Sequence, residues 1–253
     1  MDKLIFTAIA SLSQIKTDQA QSSNELANMS SIGFKKAFDH ATETRRVGGA
    51  GNPRYVPVNT ANDAVMLDQG PLISTGRGMD IYMRGKTVLA VNAPNGQIAF
   101  TRRGDLSINE AGILVEGSDH EVLAEGGGVI TVPVGAELSL TDDGTITATD
   151  PQFPEQPPAI IAQLMLRDAS TVAMVRREDA LLEPASQRGL GGDFDGGDIV
   201  PSVMPGALEG SSVKVADQLV KFMDIARSFE IRIKMINEMK ELDEAGTSLM
   251  RMV

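Results

Sequence analysis

Three aspartates, Asp193, Asp195 and Asp198, stand in the run Gly-Gly-Asp-Phe-Asp-Gly-Gly-Asp and offer the oxygen ligands that a calcium ion prefers. Their spacing departs from the twelve-residue calcium loop and no Glu closes it, so the run reads as a solvated loop. His40 and His120 are the only 2 histidines, and neither lies at a metal-ligand spacing. A Ser-His-acid triad would have to use one of them, and both read as surface or turn residues. Cysteine is absent, which excludes thiolate nucleophiles and disulfides. The glycines of Gly48 to Gly51 and Gly126 to Gly128 lack the strand before and the helix after that a phosphate loop requires, and read as turns. Asp80, Asp105 and Glu110 are carboxylates suited to acid–base work, yet nothing in their spacing brings them together. Arg102-Arg103 admits two readings, a grip on an acidic partner or protection of an exposed strand edge. Catalytic, metal and cofactor-binding residues are therefore expected to be none, with no cofactor and no small-molecule substrate.

Composition narrows the partners. The chain has 253 residues, a net charge of -11 and a pI near 4.7, with no cluster of basic and aromatic residues, so nucleic acid is excluded. The short apolar run from Leu4 to Ala10 reads as the opening turns of a helix, not a cleaved signal. No run approaches the roughly twenty apolar residues needed to span a bilayer, and a soluble chain is expected. Low aromatic content, no Trp and 25 Gly suit thin layers and many turns.

The strongest periodicity lies at the two ends. Between Val213 and Leu242, Val215, Leu219, Phe222, Ala226, Phe229, Ile233 and Ile236 step by four and three, the seam of a helix that pairs with another helix. A second ridge, Val220, Met223, Ile231, Met235, Met239 and Leu242, runs beside it, so this helix, roughly 45 Å long, should meet more than one neighbour. Burying seven seam side chains contributes on the order of 10 to 20 kcal/mol, against roughly 30 to 60 kcal/mol for ordering about thirty backbones, so the helix needs partners. The 13 methionines read as gap-filling packing more readily than as a promiscuous groove. From Leu4 to Met29 the same step places Ile5, Ala8, Leu12, Ile15, Gln19, Ser22, Leu26 and Met29 on one side. Gln19 and Ser22 interrupt that seam; polar residues there lower stability but fix register. Gly33 supplies the helix exit.

Between the helices the pattern changes. Lys35 to Ser74 is mixed, and Pro57 restricts any strand there to an edge, so extended strands or an unpaired arm both remain open. From Thr75 short strands follow: Asp80 to Met83, Thr87 to Val91, Ile98 to Thr101, Gly112 to Val115, Glu121 to Leu123, Val129 to Val132 and Leu138 to Leu140. Asn95-Gly96 and Asp143-Gly144 mark hairpin turns. After the Pro-rich stretch Pro151 to Pro158 the β pattern resumes at Ala159 to Leu166. Leu190 to Pro201, dense in Gly and Asp, cannot carry a regular core and is the return crossing to the last helix.

Motifs at both ends of the chain, and more loosely in its middle, stand in the order of a known family and resemble it. Asn24-Glu25-Leu26-Ala27-Asn28-Met29 with Gly33-Phe34-Lys35 is similar to the NNLANxxTxGFK segment near the start of bacterial flagellar rod and hook proteins. Phe100-Thr101-Arg102-Arg103-Gly104-Asp105 with Asn109-Glu110-Ala111-Gly112 resembles their YTRxGxFxxNxxGxLV run, and Gly206-Ala207-Leu208-Glu209-Gly210-Ser211-Ser212-Val213 resembles the G-x-LE-x-SNV entry to the last helix. Arg227-Ser228-Phe229-Glu230 is similar to the R-x-YE that follows it. Glu25, Ser31 and Ser212 depart from the pattern at local capping positions, and Arg84-Gly85-Lys86-Thr87-Val88 departs from G-x-GFF. The opening Met1 to Ile5 and the ending Asp243 to Arg251 resemble the proximal-rod branch more than the distal one.

The expected fold is α+β, with the terminal helices forming a coiled-coil-like rod domain (1–34 plus 206–253) and an all-β domain (75–184) inserted between them. A connecting segment (35–74) and a Gly/Pro-rich return linker (185–205) complete it. The expected assembly interface is Ile5, Leu12, Ile15, Leu26, Leu219, Phe222, Phe229, Ile233 and Ile236. The resemblance implies a non-enzymatic subunit of the flagellar basal-body rod crossing the periplasm. It also implies export through the flagellar type III apparatus without a cleaved signal peptide, other rod proteins as partners, helical assembly and transmission of torque. The alternative is a β-domain binding module or glycan-acting enzyme with a helical oligomerisation stalk.

Overall fold

A computed structural model describes residues 2–38, 42–47, 54–59, 64–133, 135–151 and 155–251; the side chains of 2–10, 42–47, 54–59, 243, 246 and 248–251 lie outside the description. The content is mixed, with two helices and a β-rich domain, and the chain divides into two compact units.

One unit holds both helices and a hairpin. Helix α1 covers Asp2–Ala27 and helix α2 covers Val215–Arg251, 37 residues, the latter running further than its apolar pattern. No Gly or Pro interrupts α2 before Gly246, and Asp217 in its first turn complements the helix dipole. The two helices pack against each other. Thr42–Val47 pairs antiparallel with Arg54–Asn59, with Pro57 opposite Thr44. A two-stranded ribbon has only edge strands, so Pro57 costs no central ladder bond. The segment is thus a strand pair, not an unpaired arm; His40 and Gly48 to Gly51 lie outside the described residues.

The other unit is antiparallel β. Its central strand Thr87–Asn92 pairs with Ile98–Thr101, Glu121–Val122 and Leu166–Asp168. Met174–Arg176 and Leu182–Pro184 extend the sheet beyond Ile98–Thr101, while Leu114–Glu116 and Leu106–Ile108 extend it beyond Glu121–Val122. Successive side chains of a strand point to opposite faces, and here both faces are covered. Leu89 and Val91 enter a core with Ile81, Leu106, Leu114 and Ile146, whereas Val88 and Ala90 enter another with Phe100, Met165 and Met174. That is why Thr87–Asn92 shows no apolar–polar alternation.

The expected hairpin turns are present. Gly96 and Gly144 take φ of 76° and 84°, the left-handed region that glycine enters without steric cost. Glu137–Leu140, Thr145–Thr149 and Ala159–Gln163 form a separate three-stranded sheet. The stretch expected as a strand from Val129 to Val132 makes only isolated bridges, Val129 to Leu123 and Thr131 to Ile113. Two strands come from the segment after the Gly/Asp-rich crossing: Val203–Pro205 pairs with Ile81–Met83, and Ala207–Glu209 pairs with Leu72–Ser74. Within the crossing, Phe194 is buried edge-on against Phe100, ring centroids 4.9 Å apart.

Truncating Leu89 to Ala should remove about 2 to 5 kcal/mol of stability, read from urea unfolding. Ile160→Ala, on an edge strand and 73% exposed, should change it by less than about 0.5 kcal/mol.

Candidate functional site

Three of the four motifs that carry the family resemblance converge on one buried ionic cluster in the β unit. Lys35, Arg102 and Glu209 have 1%, 2% and 0% of their surface exposed. Glu209 closes the strand Ala207–Glu209, Arg102 follows Ile98–Thr101, and Lys35 follows the turn at Gly33. Glu209 Oε1 accepts from Lys35 Nζ at 2.6 Å and from the Gly70 N–H at 2.7 Å, and its Oε2 accepts from Arg102 Nε at 2.8 Å. Arg102 spends its remaining donors on strand-end carbonyls: Nη1 on Gly85 and Thr87 at 2.8 and 2.7 Å, Nη2 on Met83 at 3.0 Å. Lys35 Nζ also reaches the Asp68 carbonyl at 2.7 Å. A buried charge is tolerated when paired and hydrogen-bonded, and every member here is.

The Gly-Phe-Lys turn is held on each side. Gly33 has φ 68°, its N–H donates to the Glu209 carbonyl at 2.7 Å, and a Cβ at this position would overlap the Arg102 backbone. Both constraints require glycine. Arg176 lies over the Phe34 ring, 4.1 Å from its centroid, and donates to the Lys35 carbonyl. The Ser212 N–H donates to the Phe34 carbonyl, and the Ser212 hydroxyl accepts from the Lys36 N–H at 2.8 Å. Serine at this departure from the family pattern therefore supplies a bond that fastens the turn.

Several of the other chemistry-bearing residues are engaged. Arg102 and Arg103 bind acids of this same chain, Glu209 and Asp105 respectively, and Arg102 is buried, so neither a grip on a partner nor an exposed edge describes it. Asp80 and Asp105 meet as a backbone bridge, a proximity their spacing did not indicate. Each carboxylate is nevertheless held by its own arginine, Asp80 by Arg77 at 2.8 Å and Asp105 by Arg103 at 2.7 Å, while Glu110 lies exposed in a turn. His120 Nδ1 lies 2.6 Å from Glu116 Oε1. Asp193 binds Arg167 Nε at 2.9 Å, and Glu125 takes Nη1 of the same guanidinium at 2.8 Å. The hollow of about 510 Å³ beside Arg167 is lined by five acids, Glu125, Asp143, Asp168, Asp193 and Asp195, of which Glu125 and Asp193 share that one arginine. Among the described residues no group of three or more His, Asp or Glu is placed to hold a metal.

In the helical unit the joint is polar. Gln218 of α2 donates from Nε2 to Glu25 Oε2 at 2.7 Å, and Ser22 Oγ donates to Gln218 Oε1 at 3.0 Å. Gln21 Nε2 takes the other Glu25 oxygen at 3.2 Å. Of the residues expected at the assembly interface, Ile15 is buried, Leu12, Leu26 and Ile236 are half-buried, and the Ile5 side chain lies outside the description. Leu219, Phe222, Phe229 and Ile233 are 53%, 37%, 40% and 39% exposed. The covered line on α2 is Gln218, Lys221, Ile225, Ser228, Arg232, Ile236 and Met239, displaced by one residue from the apolar seam over its first five steps. Sequence reasoning marked Ser22 as a seam residue, named Glu25, Lys35 and Glu209 only within motifs with no ionic or joint role, and passed over Gln218. The available signal was an acid, Glu209, set in the otherwise uncharged run Pro205 to Val213.

Two experiments follow from the ionic cluster. Glu209→Gln leaves two buried cations without their anion and should cost roughly 3 to 5 kcal/mol by urea unfolding. Burial, with the Arg102 charge second and against the pull of Glu209, lowers Lys35 from 10.5 to about 8. Between those values the unfolded chain binds the proton and the folded one does not, so stability rises with pH through that window. Tyr82 is raised above 10.0 by burial and by Glu209, which opposes the rise at the alkaline end. Urea midpoints should therefore increase from pH 8 to 10 in the natural chain and stay flat in Lys35→Met.

Comparison with known proteins agrees with this geometry. Residues 204–249 match the model for the flagellar basal body rod FlgEFG protein C-terminal, and residues 82–148 match that for the flagellar hook protein FlgE/F/G D1 domain. The flagellar basal-body rod protein FlgF of Salmonella typhimurium is 31% identical over 254 residues, covering 100% of both chains. FlgF of Escherichia coli K12 is 31% identical, covering 97% of this chain and 96% of its own. The basal-body rod protein FlgG of Bacillus subtilis is 24% identical over 99% of this chain and 100% of its own. Matched end to end by rod subunits, the chain belongs to the flagellar basal-body rod protein family, which is structural and not enzymatic.

Proposed function

We propose that this chain is a proximal-rod subunit that polymerises helically through its terminal helices and carries torque along the rod across the periplasm. The observation that carries this reading is the apolar surface of α2: Leu219, Val220, Met223, Phe229, Ile231, Ile233, Met235 and Leu242 are exposed. Neighbouring rod subunits would cover it with helices of their own, completing a coiled-coil-like rod domain that a single copy leaves unfinished. Leu12, Ile15, Leu26, Leu219, Phe222, Phe229, Ile233 and Ile236, with Ile5, form the assembly interface. The chain reaches its site through the flagellar export apparatus. Helices held by a weak polar joint and completed by further order on assembly suit passage as an unfolded thread.

Deleting residues 1–34 tests the reading, with polymer followed by sedimentation and electron microscopy alongside purified rod subunits. Assembly should be lost; assembly at the natural level would overturn it. The double substitution Leu219→Ser and Phe229→Ser should abolish polymer while leaving urea unfolding of the β unit unchanged. Circular dichroism of the dilute chain should show less helix than the assembled form, and full helicity in the monomer would count against assembly-coupled ordering.

A further inference from the structure

Among the described residues of α1 and α2, four side chains are fully buried: Ile15, Ser22, Glu25 and Gln218. Three of the four are polar. A hydrogen-bonded polar group adds about 0.5 to 1.5 kcal/mol net, where a buried Leu or Ile would add roughly 1.5 to 3, so the joint is weaker than an apolar one. It is also more demanding of geometry. The Gln218 amide must present its N–H to Glu25 and its oxygen to Ser22 at the same time. Turning α2 by one residue, about 100°, would break both bonds and leave the buried Glu25 carboxylate with Gln21 of its own helix and no partner on α2.

That one-residue turn is the rotation that hydrophobicity favours. The covered positions Gln218, Lys221, Ile225, Ser228 and Arg232 are each followed by an apolar residue: Leu219, Phe222, Ala226, Phe229 and Ile233. Left to apolar burial alone, α2 would roll toward α1 and cover that line itself.

We propose that Ser22, Glu25 and Gln218 form a polar pin that holds α2 turned away from its own best apolar match, reserving Leu219, Phe222, Phe229 and Ile233 for a helix of a neighbouring rod subunit. The pin determines specificity, in that it decides which face stays within the chain and which is offered outward. This rests on the polymerisation reading above, and adds to it a reason why the monomer does not satisfy itself.

The chain has no cysteine, so a single introduced thiol reports its own exposure. With the dilute full-length chain, maleimide should label Phe229→Cys several-fold faster than Ser228→Cys. Adding Ser22→Ala, Glu25→Leu and Gln218→Leu should invert that ratio and abolish polymer in sedimentation. Gln218→Met, which keeps length and removes the amide, provides the same test if the triple variant fails to fold. An unchanged labelling ratio overturns the pin, and so does an inverted ratio with polymer intact, since the face would then not be reserved for a neighbour. If the ratio inverts but the natural chain itself never polymerises, the polymerisation reading fails while the orienting role of the pin stands.

Discussion

The β unit depends on one carboxylate. Glu209 is the only anion in the Lys35–Arg102–Glu209 cluster, and through the two cations it ties the turn after α1, the end of a central sheet strand and the last strand before α2. Arg102 carries the constraint further, since its donors close the carbonyls of Met83, Gly85 and Thr87, where two strands meet at a turn. Apolar residues at these positions would add more stability, because desolvating three charges offsets most of their mutual attraction. What the cluster adds is a single allowed arrangement of three distant segments.

The two units resolve the same problem at different strengths. In the β unit the ions sit against closely packed cores containing Leu89, Leu114 and Ile146, so polar geometry selects among states that apolar burial already favours. In the helical unit the polar joint at Gln218 has little apolar support, Ile15 being the one fully buried hydrophobe in the described parts of the helices. The exposed ridges of α2 belong to the helical unit, where among the described side chains the fully buried contacts are mostly polar.

Legibility followed the physics of each element. Strand positions such as Thr87–Asn92 and Ile98–Thr101 were readable because local β-branched runs and the Asn95-Gly96 turn specify them without reference to the rest of the chain. Strands Val203–Pro205 and Ala207–Glu209 were not, since each is three residues long and exists only by pairing with residues more than a hundred positions away. Helix existence was legible from periodicity, but helix facing was not: the four-three count found Leu219 and Phe222, whereas Gln218, one position off, makes the joint. Hydropathy scores how favourable a face is to bury; it is blind to a hydrogen-bonded pair that overrides the preference. The same blindness hid Glu209 and Lys35, because a charged side chain reads as exposed until its partner is known.

Glu209 lies 174 positions after Lys35, beyond four-fifths of the polypeptide. Until that late segment arrives, Lys35 and Arg102 have no counter-ion, and the edges of Leu72–Ser74 and Ile81–Met83 lack their partners. Contacts this distant along a chain form slowly. A chain synthesised amino end first is consequently a latecomer to its own architecture, unable to close this cluster until Glu209 is present.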